Sequence, residues 1–310
     1  MPDAYVLITA ARNEARYIEK TIYSVLSQTI LPKRWVIVSD GSTDQTDEIV
    51  KRCSLHSDFI QLIRRSADVK RDFGSKVHAL NTAFEALAES KYQFLGILDA
   101  DIVLKPTYYA DLMLRFNKND NLGLAGGVRY DMVGNRFRRI RCDSNSVGGM
   151  VQFFRRRCFD QVGCFIPLPY GGEDSVAEIT ARMHGWQVRS FREIIFYHLR
   201  DTGSEGCSVF RACFKNGIRS YIVGYHPLFF LARSVYRTMD HPLYINTVLL
   251  MLGYIYAWKS RLPKPLPAAT LTYFKKEQIQ RLKNMLGIKS AEPNVFNFQG
   301  WDHDPNNDSR

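Results

Sequence analysis

The chain has 310 residues, 45% apolar and 24% charged, enough to bury a sizeable core in one large α/β domain or two smaller ones. Its six cysteines, at 53, 142, 158, 164, 207 and 213, include no C-x-x-C pair, which argues against zinc and for reduced, mostly buried thiols. The net charge of +11 is uneven: residues 200–289 hold 14 Lys/Arg against 4 Asp/Glu, so the excess sits in one region and points to an anionic partner or a solvated basic face.

The first apolar run, Tyr5 to Ala10, reads as a strand and passes into a loop, Ala11-Arg12-Asn13-Glu14. It begins too soon and breaks too early for a signal peptide, so action inside the cell is expected. Ile18, Ile22, Val25 and Leu26 recur at helical spacing, and Pro32 ends that element. Trp35 to Val38 predicts a second buried strand, followed by Ser39 to Thr46, a turn-rich cluster with Asp40 just past the strand end. A helix over Asp44 to Cys53 has Ser42 or Thr43 available as its N-cap, and Phe59 to Ile63 predicts a third strand. This alternation is the mark of a parallel sheet built from right-handed crossovers.

Gly74 and Ser75 open a helix with Val77, Leu80, Ala83, Phe84 and Leu87 on its apolar face. Lys76 lies in its first turn, where a cation gains nothing from the helix dipole and is better explained by an anionic ligand. Phe94 to Leu104 then reads as one strand buried on both faces, carrying Asp99 and Asp101 towards its C-terminal end. Ligands of open α/β sheets sit outside those ends, so two carboxylates there form a ligand or metal platform unless they only cap a turn. Tyr108 to Phe116 predicts a helix and Leu122 to Tyr130 a strand.

Thr9 to Glu14, Ser39 to Asp44, Gly74 to Asn81, Asp99-Ala100-Asp101, Gly148 to Arg156, and Gly172-Glu173-Asp174 with Gly185-Trp186 occur in an order that resembles the family 2 glycosyltransferases. The resemblance covers about residues 4–200. It implies the inverting GT-A fold: a Rossmann-like, mostly parallel central sheet flanked by helices, here with a basic helical C-terminal extension. It also implies a nucleotide-sugar donor, usually a UDP-sugar. Asp40 would accept a hydrogen bond from the base, Thr9 and Glu14 would line that pocket, and Arg71 and Lys76 would meet the base or the phosphates. Ala100 and Asp99 would face the donor. Asp99 and Asp101 would hold Mn²⁺ or Mg²⁺, with His198 as a third ligand and Arg200 as a reach to the diphosphate. Asp174 would be the general base that deprotonates the acceptor hydroxyl, with Glu173 its rival.

Three positions depart from the family pattern. Ser39 stands where another Asp is frequent, Cys164 where a second Gly is common, and Val176 where a polar residue often follows the base. The last implies a different acceptor pocket. No Q-x-x-R-W segment follows, which argues for a single transfer over chain extension. A nucleotidyltransferase would need a Gly-rich phosphate loop after the first strand, and AARNEARY is not one; a silent sugar-nucleotide-binding scaffold is the other alternative.

Ser208 to Tyr225 predicts a helix, and Leu243 to Trp258 is the most apolar stretch of the chain. Sixteen residues fall short of the roughly 20 needed to cross a bilayer. The stretch is therefore expected as a core helix or as one lying in the interface of an anionic membrane. The basic flanks Arg233, Arg237, Lys259, Arg261 and Lys264 and the aromatics Tyr254, Tyr256 and Trp258 favour the interface. Aromatics do not interleave with Lys/Arg, so nucleic acid is not an expected partner; the expected acceptor is a glycan or a lipid-linked one. The expected organisation is a catalytic domain over 1–200, a basic apolar helical region over 201–289 and a loose tail over 290–310. The expected location is the cytoplasm, extending to peripheral contact with the inner face of the cell membrane.

Overall fold

The computed structural model describes residues 4–55, 57–66, 73–134, 136–140, 143–200, 209–236 and 244–288. The expected tail and Arg71 lie outside the described residues. In chain order the elements are β1 (Tyr5–Ala11), α1 (Ile18–Leu26), β2 (Arg34–Asp40), α2 (Thr46–Ser54), β3 (Ile60–Arg65), α3 (Phe73–Glu85), β4 (Phe94–Ile97), β5 (Ile102–Leu104) and α4 (Tyr108–Asn117). They continue with β6 (Leu122–Val133), β7 (Arg136–Arg139), β8 (Phe153–Arg155), α5 (Arg156–Val162), α6 (Glu173–Met183) and β9 (Gln187–His198). Four further helices close the chain: α7 (Val209–Val223), α8 (Pro227–Tyr236), α9 (Ile245–Lys259) and α10 (Ala268–Met285).

Successive side chains of a strand face opposite sides, and β1 shows what that does here. Tyr5, Leu7 and Ala11 enter a layer with Ile18, Ile22 and Val25 of α1 and with Leu112, Met113 and Phe116 of α4. Val6 and Ile8 enter the opposite layer with Val77, Leu80 and Ala83 of α3 and Ala177 and Ala181 of α6. The result is an α/β/α sandwich whose strand order is β3-β2-β1-β4-β8-β6-β9-β5, with β7 paired to β6. The longest ladders, β1 with β2, β2 with β3 and β6 with β9, are parallel, as the alternation predicts. Antiparallel joins at β4–β8, β6–β8 and β5–β9 complete the second half. Phe153 pins β8 in place, its ring 5.4 Å from Phe94 and 5.2 Å from Tyr109.

Two expectations are corrected. Phe94 to Leu104 is not one strand: it parts into β4 at the sheet's centre and β5 at its far edge, with the Asp-Ala-Asp turn between them. Both pieces are buried, so an apolar run cannot show where the ladder partner changes. Neither Ser42 nor Thr43 caps α2, which begins two residues later than expected; Asp44 Oδ1 accepts from the Thr46 N–H at 3.0 Å, while Ser42 Oγ accepts from the Asn13 N–H.

The C-terminal helices pack on the outward side of α6. Val176 and Ile179 of α6 join Ile218, Ile222 and Val223 of α7, Ala257 of α9 and Phe274 of α10. Buried charge reinforces the seat: Arg182 of α6 meets Glu277 of α10 at 2.8 Å, and Arg281 meets both Glu277 and Asp143. α8 starts on Pro227, a residue suited to a first helical position. The apolar stretch around α9 is neither wholly core nor wholly exposed. Asn246, Leu250, Gly253 and Ala257 form its buried stripe, and Ile245, Val248, Leu252 and Ile255 an exposed one. Among the described residues no helix is long and apolar enough to cross a membrane.

Helices α7 and α9 cross on two glycines. A Cβ on Gly253 would lie 2.1 Å from the Phe214 carbonyl oxygen, and one on Gly217 2.1 Å from that of Leu250. Gly253→Val should therefore cost about 1–3 kcal/mol in urea unfolding, the range of overpacked cores. Gly148→Ala, where nothing lies within 4 Å, should leave the midpoint in place; equal midpoints for both variants would refute the tight crossing.

Candidate active site

The Asp-Ala-Asp turn is held from both sides by backbone. The Leu98 N–H donates to the Ile8 carbonyl at 3.0 Å and the Asp99 N–H to that of Met150 at 2.9 Å. Ala100 is the middle residue of the turn. It is buried in the core, and its carbonyl accepts from the Thr21 hydroxyl at 2.8 Å, anchoring the turn to α1. The two carboxylates diverge from this anchor. Asp99 meets Lys76 Nζ at 2.8 Å, and Asp101 Oδ2 accepts from Arg200 Nε at 2.9 Å, with His198 Nε2 at 3.3 Å.

Sheet register brings His198 there. It is the last residue of β9, opposite Ile102 on one side and Asp131 of β6 on the other. Its Nδ1 lies 3.2 Å from Asp131 Oδ1, so Nε2 faces Asp101. Burial pulls the imidazole pKa down, but hydrogen bonds to Asp101 and Asp131 outweigh it and raise it to about 9. Burial likewise pushes Asp101 up, and the bonds from His198 and Arg200 win, holding it below the usual carboxylate range. For Asp99 burial prevails over Lys76 and the pKa is raised.

Arg200 and Glu14 meet beside Asp101. Arg200 Nη2 donates to both Glu14 oxygens, at 2.6 and 2.7 Å, while its guanidinium carbon lies 5.4 Å over the Tyr17 ring. Both side chains are thus engaged with each other, and burial lifts Glu14 to about 7 against the pull of Arg200. Strand alternation puts Thr9 on the face of β1 that carries Leu7 and Ala11, where its hydroxyl accepts from the Trp35 indole N–H at 2.9 Å. Asp40, buried at the end of β2, sits between Arg65 at 3.2 Å and Arg12 at 3.7 Å. Neither arginine, nor Asp131, was picked out from the sequence. A charged residue at a strand end is ordinary, and only register shows what it faces.

Glu173 and Asp174 occupy the first turn of α6. The backbone reaches them through Gly172 in the left-handed region at φ 108°. Asp174 Oδ1 accepts from the Ser175 N–H at 2.8 Å, and its carboxylate presses on Gly149, where a Cβ would lie 2.7 Å from Oδ2. Lys76 links the two acidic ends of the site: Asp99, Glu173 and Asp174 together raise its pKa against burial. Burial raises Glu173, and Lys76 opposes it. Among the described residues no three acidic, His or Cys groups close into a metal cage. The donor chemistry of Asp99, Asp101 and His198 Nε2 fits a divalent ion that shares its shell with phosphates, and an Asp131-oriented imidazole suits Mn²⁺. A roomier concavity, about 610 Å³ along β3 and α2, contains none of these residues.

The carboxylate turn thus stands beside an oriented imidazole, with a second acidic pair across Lys76. The model of glycosyl transferase family 2 matches residues 6–169. The chain belongs to this family. The GT-A fold that the resemblance implies is the fold observed. Among similar proteins, the poly-beta-1,6-N-acetyl-D-glucosamine synthase of Staphylococcus epidermidis is 26% identical over 212 residues, 62% of this chain and 47% of that protein. That of Staphylococcus aureus strain COL is 23% identical over 209 residues, 61% and 47%. The chain thus spans about half the length of the curated relatives it matches. Mannosyltransferase PcManGT from Pyrobaculum calidifontis, in complex with GDP-Man and Mn²⁺, superimposes with a TM-score of 0.56 at 17% identity, covering 93% of this chain and 90% of that one. S. aureus TarS 1-349 in complex with UDP-GlcNAc gives 0.52 at 12% identity, covering 92% and 81%.

Behind the site, Glu178 of α6 accepts from the Val147 N–H at 2.7 Å and from the Ser146 hydroxyl at 3.1 Å. Burial raises its pKa from 4.5 to about 7, more than Arg182 lowers it. The folded state therefore holds this proton more tightly than the unfolded chain. Its contribution to stability is full below pH 4.5 and is lost as pH rises towards 7. Glu178→Gln should remove that component, giving a flatter urea midpoint between pH 5 and 8; identical slopes in both proteins would contradict the buried acid.

Proposed function

We propose that this family 2 enzyme is an inverting, metal-dependent glycosyltransferase that moves one sugar from a nucleotide-diphosphate sugar, a UDP-sugar by preference, to a hydroxyl of a lipid-linked or cell-envelope glycan. The observation that carries this reading is the placement of Asp101 against His198 Nε2 with Asp131 behind the ring. Asp101 and His198, with Asp99 beside them, would hold Mn²⁺ or Mg²⁺. That ion supplies neutralisation of the charge growing on the departing diphosphate.

The chain's own groups do the rest. Asp40, held between Arg65 and Arg12, receives the base N–H. Glu14 and Arg200 close the wall behind Asp101. Asp174 takes the acceptor proton as the hydroxyl oxygen attacks the anomeric carbon and the bond to the diphosphate breaks. Its Oδ1 is occupied by the Ser175 N–H, so Oδ2, over Gly149, is the oxygen assigned to that proton. Residues 1–200 carry this chemistry in our reading, and 201–289 the acceptor side. Asp101→Ala should abolish Mn²⁺-dependent UDP release from UDP-sugars. Asp174→Asn should lower transfer about 10²–10⁴-fold, the usual worth of a general base, while retaining UDP binding. Absence of metal-dependent turnover with any nucleotide sugar would sink the proposal.

The acceptor side also supports contact with an anionic membrane surface. Leu228, Leu231 and Val235 of α8 run beside the exposed stripe of α9, and Trp258, Lys259 and Arg261 end it. Apolar patches rimmed by charge on this scale mark interaction sites, and each Lys/Arg adds about 1 kcal/mol near an anionic leaflet. The protein should float with phosphatidylglycerol vesicles at low salt, and Leu252→Asp with Ile255→Asp should leave it in the pellet. Failure of the unaltered protein to float would count against the membrane.

A further inference from the structure

Beside the proposed base lies a cleft of about 100 Å³ between α6, α7 and α8, lined among others by Gly172, Ser175, Asn216, Arg219, Ser220 and Arg233. We propose that it seats a phosphate group carried by the acceptor, with Arg219 as the residue that reads it. The inference rests on Asp174 as the general base, because Ser175 on the cleft wall directly follows it.

Four observations point the same way. The lining contains two arginines and no Asp or Glu, although Glu173 and Asp174 lie nearby and would otherwise repel an anion. Arg219 has no hydrogen bond or ion pair among the described residues, whereas the neighbouring Arg233 donates to the Tyr225 hydroxyl and stacks 5.2 Å over its ring. The Arg219 side chain, though exposed, runs along the residue two before the base: a Cβ on Gly172 would lie 3.4 Å from its Cδ. Finally, the cleft has room for several waters and so for a tetrahedral oxyanion. A guanidinium without a partner among the described residues, beside the Ser175 hydroxyl, is chemistry that recognises phosphate over a neutral hydroxyl compound. Val176 completes the arrangement. Where the family often has a polar side chain, this one is buried against Ile222 and Val223, which holds α7 and its Arg219 against the base helix.

The test uses the full chain with the donor site filled by UDP and Mn²⁺, titrated with inorganic phosphate and with glycerol 3-phosphate. We expect both to bind the unaltered protein, Arg219→Ala to weaken them about tenfold or more, and Arg219→Lys to restore part of the loss. UDP release without acceptor should be equal in all three, because Arg219 does not touch the donor side. A second arm uses phosphatidic acid vesicles: protection of Arg219 by the vesicles alone would assign the phosphate to a lipid headgroup, and protection by the soluble ester to a free or glycan-borne one. Equal binding to the unaltered protein and Arg219→Ala, or none to either while UDP release is intact, would overturn the phosphate site. Loss of UDP release in the unaltered protein would instead overturn the transfer reading beneath it.

Discussion

Carboxylates cannot be buried without company, and most of this molecule's geometry follows from supplying it. Removing a charge from water costs several kcal/mol unless a partner is placed against it. Asp99 is met by Lys76, Asp101 by His198 and Arg200, and Asp131 by His198 and Arg129. These cations come from the start of α3, the end of β9, the residue two beyond it and the middle of β6. The carboxylate turn therefore exists only in a sheet that brings those four places together. Conversely, the acids hold the cations in the arrangement that a phosphate-bound ion and its donor would enter.

The helix carrying the proposed base has a different constraint, because it belongs to two cores. Ala177 and Ala181 face the sheet, while Val176 and Ile179 face the C-terminal helices. The Arg182–Glu277–Arg281 chain, buried at its centre, fixes α10 to the same element. Gly149 lets the backbone approach the Asp174 carboxylate more closely than a side chain would allow, and Gly172 lets it approach Val223 of α7. The C-terminal helices thus bear on the position of α6 and of the cleft at its N-terminus, and the close crossing of α7 on α9 transmits that support.

Much was legible in advance. The period-2 and period-3.6 runs from Tyr5 to Phe116 placed the elements, and the ordered appearance of Asp40, Lys76, Asp99, Asp101, Asp174 and His198 indicated the family. Phe94 to Leu104 reads as one strand because an apolar run does not reveal which partner takes its backbone, and a motif position does not reveal which side chain it meets. In the folded protein β5 leaves β4 for β9, Thr9 goes to Trp35, and the carbonyl of Ala100 goes to Thr21.

The sequence by itself determined that this is an α/β chain with a carboxylate turn, a candidate base on a helix and a basic, apolar C-terminal third, since these rest on local periodicity, residue chemistry and order. Tertiary structure alone decided that Asp131 stands behind His198, that Arg12 and Arg65 flank Asp40, that Arg200 clasps Glu14, and that Arg219 lies beside the base helix. Those pairings join residues separated by between 25 and 186 positions. They follow from strand register and helix packing, which no local pattern encodes.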